Sequence, residues 1–110
     1  MKDTRGSGIE YSREQISGFE KLADLFTNDK REIYAELLCD SEGRIVYFRE
    51  WLTSHGAEDS YNFCIINSID ELKVELKKDV DHGDLAPGLV GKICDEVSGI
   101  GITWKNRHDN

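Results

Sequence analysis

The segment from Glu32 to Trp51 constrains the fold more than any other part of this 110-residue chain, because it reads as two strands joined by a tight turn. Side chains alternate in its first half, where one face is predicted to carry Ile33, Ala35, Leu37 and Cys39. The sequence CDSEGR follows, and Gly43 can supply the positive φ that a hairpin turn needs. A helix over Arg31 to Leu38 would also fit the apolar spacing. The return segment is rich in β-branched and aromatic residues, which favours the hairpin.

Upstream of this hairpin, the sequence predicts one amphipathic helix. Ser12 and Gln15 fit a capping box, and Tyr11 and Ile16 have the spacing of a hydrophobic staple. Apolar residues then recur at helical spacing, and the predicted stripe consists of Ile16, Phe19, Leu22, Ala23 and Phe26. Asn28 is a suitable left-handed residue to end the helix.

The second half of the chain begins with a predicted third strand, Tyr61 to Ile66, after the polar loop TSHGAEDS. Ser68 and Glu71 fit a second capping box. The helix that follows should end near Gly83. Its apolar stripe is predicted to contain Ile69, Leu72, Leu76 and Val80.

A short third helix and a last strand complete the prediction. Pro87 is suited to the first position of a helix, and the apolar face would contain Leu89, Val90, Ile93, Cys94 and Val97. The sequence GIGITW, Gly99 to Trp104, is predicted to be the last strand. The order α-β-β-β-α-α-β favours an antiparallel sheet with helices on one face. We therefore predict a single α+β domain at residues 11–104, with flexible tails at 1–10 and 105–110.

The charge balance limits the classes of partner. The chain has 22 acidic and 14 basic residues, a net charge of -8. Such a chain is repelled by phosphate backbones and anionic lipid and attracted to basic proteins. We therefore expect no direct binding of nucleic acid or membrane. The N-terminal sequence MKDTRGSGIEYS has no hydrophobic segment after its charges, and three cysteines without CxxC spacing suit reduced thiols, so we expect a cytoplasmic protein.

The sequence DVDHGD, from Asp79 to Asp84, places three carboxylates and one imidazole within six residues. A calcium loop of the EF-hand type needs an acid at its fifth position and a glutamate at its twelfth. This chain has Gly83 and Val90 at those positions, so the pattern does not match. A weak magnesium site through Asp81 and Asp84 stays open. The simplest interpretation is the end of a helix followed by a turn.

The remaining polar residues do not form the pattern of a known reaction centre. The cysteines lie far apart, whereas structural zinc sites use close pairs of ligands. Ser54 and His55 are neighbours in a polar loop, and a catalytic triad needs groups held within hydrogen-bond reach of one another. GIGITW lacks the lysine of a phosphate loop. The sequence thus predicts no catalytic residue, no metal and no cofactor.

Acidic residues are concentrated in one third of the chain. From Glu50 to Asp84, nine acids accompany three lysines, a net charge of -6 out of -8. Some of these acids follow the second predicted helix, where the negative end of the helix dipole disfavours them. Acidic residues that destabilise the helix they follow suggest a surface that binds a basic partner. The residues predicted to bind this partner are Glu58, Asp59, Asp79, Asp81, His82 and Asp84.

Three functional hypotheses follow from these observations. The first is a small acidic inhibitor that blocks a basic protein, such as an immunity or antitoxin protein acting on a nuclease toxin, because an acidic surface gains steered association with a positive cleft. The second is an adaptor or regulatory subunit. The third is a small enzyme or ligand-binding domain with a pocket between the loop Ser54 to Ser60 and His82.

Overall fold

The computed structural model of the protein describes residues 4–5, 11–28, 33–51 and 60–104. Its helices are α1 (Arg13–Ser17), α2 (Ile69–Asp81) and α3 (Leu89–Ser98). Its strands are β1 (Thr4–Arg5), β2 (Glu20–Asn28), β3 (Ile33–Cys39), β4 (Ile45–Trp51) and β5 (Ser60–Ile66). The predicted α+β class is confirmed, although the predicted order lacked one strand.

Strands β2 to β5 form an antiparallel sheet in the order β5-β4-β3-β2, and the two-residue β1 pairs in parallel with β5 at its edge. The predicted hairpin is confirmed. Cys39 pairs with Ile45 across the turn, and Ile33 pairs with Trp51 at the far end. Gly43 has a φ of 85°, as the turn requires. Of the predicted tails, the structure describes Thr4–Arg5, and the other residues of 1–10 and 105–110 lie outside the described ranges.

The first predicted helix is wrong beyond its opening turn. The capping box of Ser12 and Gln15 is present, but α1 ends at Ser17, and the chain from Glu20 onward is strand β2. The register of β2 against β3 shifts twice, between Lys21 and Ala23 and between Asp24 and Phe26. Each shift adds one residue to the strand and breaks its alternation. The apolar residues of β2 that pack on one face of the sheet therefore have a spacing close to that of a helical stripe. These residues are Leu22, Ala23, Leu25 and Phe26.

The predicted last strand is also wrong. Gly99 to Gly101 form a turn after α3, and Ile102 to Trp104 have no regular structure. Ile102 and Trp104 are nonetheless half-buried against the main core. The apolar alternation of this segment is thus explained by contacts of its side chains with the core, without pairing to any of the described strands.

The two long helices cover one face of the sheet. Their buried side chains meet alternate residues of the strands in one cluster, which includes Ala35, Leu37, Ile45, Tyr47, Cys64, Ile66, Leu72, Leu76, Ile93, Cys94 and Val97. Leu72 and Leu76 are fully buried, and each such side chain contributes about 1.5–3 kcal/mol to folding. Ser68 is the N-cap of α2, and its side chain accepts from the Glu71 N–H at 3.2 Å. The Glu71 carboxylate accepts from the Asn67 N–H instead of closing the predicted capping box.

The third helix starts slightly later than predicted. Its N-cap is Gly88, so Pro87 precedes the helix instead of opening it. Four of the five residues predicted for its apolar face are buried, namely Val90, Ile93, Cys94 and Val97, whereas Leu89 is 39% exposed.

Helix α1 lies on the opposite face of the sheet, although the prediction placed all helices on one face. Tyr11 and Ile16 join a second cluster with strand residues that alternate with those of the first, including Val46 and Phe63. The rings of Tyr11 and Phe19 contact edge to face with centroids 4.8 Å apart. Helix α1 and the residues on either side of it therefore cover part of the sheet face opposite α2 and α3.

Candidate partner-binding surface

The sequence DVDHGD forms the end of α2 and the turn that follows, as the simplest interpretation predicted. His82 is the C-cap residue, and Gly83 has a φ of 81°. The N–H of Gly83 donates to the Val80 carbonyl at 2.9 Å, and the N–H of Asp84 donates to the Asp79 carbonyl at 2.9 Å. These hydrogen bonds close the helix in the way that glycine turns commonly do.

Asp79 was predicted to meet a partner, but its side chain lies in the interior. The carboxylate accepts hydrogen bonds from the Tyr47 hydroxyl and from the Arg49 guanidinium. Arg49 also contacts Glu75 at 3.3 Å and donates from Nε to Asn62 at 3.0 Å. Burial raises the pKa of Asp79 above its ordinary value, although Arg49 and Tyr47 favour the charged form. This acid joins α2 to the sheet, so its charge does not face solvent.

A sequence signal for this network existed. Asp79 follows Leu72 and Leu76 at helical spacing, which places it on the buried face of α2. Arg49 follows Ile45 and Tyr47 at strand spacing, which places it on the face of the sheet that the helices cover. Asp79 and Arg49 are the charged members of two apolar stripes that face each other, so their side chains are expected to form an ion pair.

The other predicted partner-binding residues have different positions. Asp84 is also buried, with 4% of the residue exposed, which corrects the expectation that it is a surface charge. Asp81 and His82 are exposed. Glu58 and Asp59 lie outside the described residues. The segment that contains them connects Trp51 to Ser60, which pair with each other at the same end of the sheet as Arg49.

A second polar centre, at Asp40, was not predicted from the sequence. Its buried carboxylate accepts from the Tyr11 hydroxyl at 2.6 Å and from Arg44 Nε at 2.8 Å. It also accepts from the N–H groups of Glu42 and Arg44, both at 2.8 Å. Burial opposes ionisation, but these donors together lower the pKa of Asp40 below its ordinary value. This network ties the β3–β4 turn to Tyr11, which precedes the N-cap of α1.

Exposed acids gather at the end of the sheet opposite to Asp81. Strand pairing brings Glu20, Cys39, Ile45 and Ile66 together there. The β3–β4 turn and the segment after α3 meet at this end, since Gly43 and Ile100 line one groove, and α2 starts just after Ile66. We call this region the acidic end, and its exposed acids are Glu20, Glu42, Asp70, Glu71, Asp95 and Glu96.

Basic residues compensate this charge incompletely. Arg44 is half-buried and bound to Asp40, Lys73 is exposed, and Lys21, next to Glu20, is paired with Asp24 and Glu36. Burial raises the pKa of the Cys94 thiol above its ordinary value. The negative charges of Asp95 and Asp70 raise this pKa further, and the positive charge of Lys73 lowers it. These three charged residues, from α2 and α3, therefore lie near Cys94.

The acids of the two helices differ in their effect on stability. Asp70 and Glu71 lie in the first turn of α2, where the helix dipole favours negative charge. Asp95 and Glu96 lie near the C-terminus of α3, whose last turn carries no basic residue. Each is disfavoured there by about 0.3–1 kcal/mol. The acids of α3 therefore reduce the stability of the isolated helix slightly, whereas those of α2 increase it.

Other kinds of site find no support in the described parts of the chain. Within residues 11–28, 33–51 and 60–104, no group of three or more histidine, cysteine or acidic residues is arranged to hold a metal ion. No helix among the described residues has both the length and the apolar character that crossing a membrane requires. His82 Nδ1 lies 2.9 Å from the Lys78 carbonyl oxygen, so this ring contacts the last turn of its own helix.

No family model matches this chain, and neither the curated proteins nor the solved structures include a detectable match to it.

Proposed function

We propose that this protein is an acidic, protein-binding inhibitor that blocks a basic partner protein in the cytoplasm. The role resembles that of an immunity or antitoxin protein acting on a nuclease toxin. The observation that carries this proposal is the acidic end, where exposed carboxylates outnumber bases and two of them sit at an unfavourable helix terminus.

The carboxylates of the acidic end produce a negative electrostatic field around it. A nuclease needs a positive cleft to hold its substrate, and a negative surface of matching size is drawn to that cleft over a distance of about 10 Å in moderate salt. Charges at the rim of an interface mainly increase the association rate and reject wrong partners. An inhibitor must bind before its target acts, so rapid association benefits it directly.

The proposed binding surface, the acidic end, differs from the surface that the sequence predicts. Asp79 and Asp84 are buried, so we do not include them in the proposed contact surface. Asp81 is exposed at the other end of the sheet, and Glu58 and Asp59, which lie outside the described residues, stay candidates. The two ends of the molecule are therefore rival surfaces that an experiment can separate.

The test compares two variants that each lose three negative charges. The first carries Glu42→Gln, Asp95→Asn and Glu96→Gln at the acidic end. The matched control carries Glu58→Gln, Asp59→Asn and Asp81→Asn. Association with a basic protein captured from the host cytosol is measured at two salt concentrations. We expect the first variant to associate about tenfold more slowly at low salt and to lose most of its salt dependence, while the control keeps both properties.

Two results would contradict this expectation. Slow association of the control alone would assign binding to the surface around Asp81, and unchanged rates in both variants would exclude electrostatic steering. The activity of the captured protein separates an inhibitor from an adaptor. An equimolar amount of this protein should abolish that activity, whereas an adaptor would leave the activity in place.

A further inference from the structure

An apolar groove of about 320 Å³ opens at the acidic end. Its walls come from three strands, the β3–β4 turn and the segment after α3, and the lining residues are Leu22, Cys39, Gly43, Ile45, Ile100, Gly101, Ile102 and Thr103. This lining contains no charged side chain. The groove therefore differs sharply in character from the surface around it.

The rim of the groove exposes apolar surface to solvent. Ile100 is 45% exposed, although it is a large aliphatic residue. Gly101 is also exposed, and a Cβ placed on it would meet no atom within 4 Å. Exposed aliphatic surface beside an open space is a common feature of sites that receive a side chain from another protein.

Charged residues stand next to this apolar lining. Glu42 is adjacent to Gly43 in the turn, and Glu20 lies two residues before Leu22 on β2. The carbonyls of Asp95 and Glu96 accept from the Gly99 N–H, so α3 ends directly before Ile100. The neighbouring bases are paired with other acids, since Arg44 binds Asp40 and Lys21 binds Asp24 and Glu36. The rim is therefore negative on balance, and it complements a bulky apolar side chain that has cations on both sides.

We infer that this groove receives one aliphatic or aromatic side chain of the basic partner, from a segment in which lysine or arginine residues flank it. The inference rests on the proposed function and adds the chemistry of the contact. A buried apolar anchor supplies most of the affinity at such interfaces, while charges at the rim supply speed and specificity.

The probe is a set of amidated pentapeptides observed through the backbone amide NMR signals of the protein. One peptide has leucine at its centre and two lysines on each side. The second has serine at the centre, and the third has leucine flanked by glutamates. We expect the lysine–leucine peptide to shift the amide signals of Gly43, Ile100, Gly101 and Thr103. The serine peptide should bind about tenfold more weakly, because it lacks the buried apolar side chain.

Substitutions test the same contact from the protein side. Ile100→Ser should weaken the lysine–leucine peptide by several fold, about the effect of losing part of one apolar contact. Val74→Ser is the matched control, since Val74 is 53% exposed on α2 and does not line the groove. The control should bind like the natural protein. Both variants replace exposed side chains, and unchanged amide spectra elsewhere verify their folding.

The outcomes separate this inference from the proposed function. Equal binding of the serine and leucine peptides at the acidic end would overturn the groove while supporting attraction to a basic partner. Equal binding of the glutamate-flanked peptide would overturn the requirement for cations. If no lysine-containing peptide shifts any signal of the acidic end, both the groove and the proposed function lose their basis.

Discussion

Arg49 of β4 and Asp79 of α2 form an ion pair in the interior, with 4% and 1% of their side chains exposed. The Tyr47 hydroxyl donates to the same carboxylate, and Glu75 approaches the other side of the guanidinium. Removing one member of such a pair leaves an uncompensated charge in the interior, which is strongly destabilising. The pair therefore holds the C-terminal half of α2 against the sheet.

Asp79→Asn should lower the free energy of unfolding by about 3 kcal/mol, because it leaves Arg49 with a weaker partner in a buried position. Asp81→Asn is the matched control, since Asp81 is exposed on the same helix. It should change the unfolding free energy by no more than about 0.5 kcal/mol. Chemical denaturation of both variants measures the difference, and equal effects would contradict the buried ion pair.

Asp40→Asn should destabilise the protein in a way that depends on pH. The folded-state pKa of Asp40 lies below its unfolded value, because four donors stabilise the carboxylate. Its contribution is therefore present above about pH 4, the ordinary pKa of aspartate, and is lost as pH falls through the folded-state pKa. We expect a difference of about 2 kcal/mol between the variant and the natural protein at neutral pH.

Denaturation curves at a series of pH values between neutrality and the acid-unfolding limit measure this difference. It should be constant near neutral pH and should shrink below about pH 4. A difference that grew with acidity would mean that the folded-state pKa of Asp40 is raised instead.

Gly83 and Gly91 should respond in opposite directions to alanine. A Cβ on either residue would meet no atom within 4 Å, so only the backbone distinguishes them. Gly83 has a φ of 81°, which costs alanine about 1 kcal/mol or more. Gly91 lies inside α3, where alanine stabilises a helix by about 0.5–1 kcal/mol. Thermal unfolding should thus show a lower midpoint for Gly83→Ala and a higher one for Gly91→Ala.

Glu96→Gln should stabilise the isolated protein slightly while weakening its association with a basic partner. The change removes a negative charge near the C-terminus of α3, which is worth about 0.3–1 kcal/mol. Asp70→Asn is the control at the favourable N-terminus of α2, and it should reduce stability by a similar amount. Denaturation and association kinetics on the same samples test both effects. Loss of stability in Glu96→Gln would mean that this acid supports the fold.

The elements that could be predicted are those that depend on interactions between residues close together in the sequence. The capping box at Ser12, the turn at Gly43 and the apolar stripe of α2 each depend on residues within a few positions of one another. The hairpin also requires β3 and β4 to pair in one register, and the alternation of apolar residues in both strands specifies that register. These features were visible in the amino-acid order because their hydrogen bonds and periodicity are short-range.

The remaining features depended on tertiary contacts. Residues 20–28 have the spacing of a helix, but pairing with β3 and two register shifts make them a strand. Helical spacing places Asp79, unlike Asp81, on the buried face of α2, but the partner that it meets there, Arg49, lies 30 residues earlier in the chain. The acidic end joins residues of β2, the β3–β4 turn, α2 and α3 that are distant in sequence. Local order determined which elements can form, while the sheet pairing decided which charges reach solvent, because burial depends on neighbours that only the folded chain brings together.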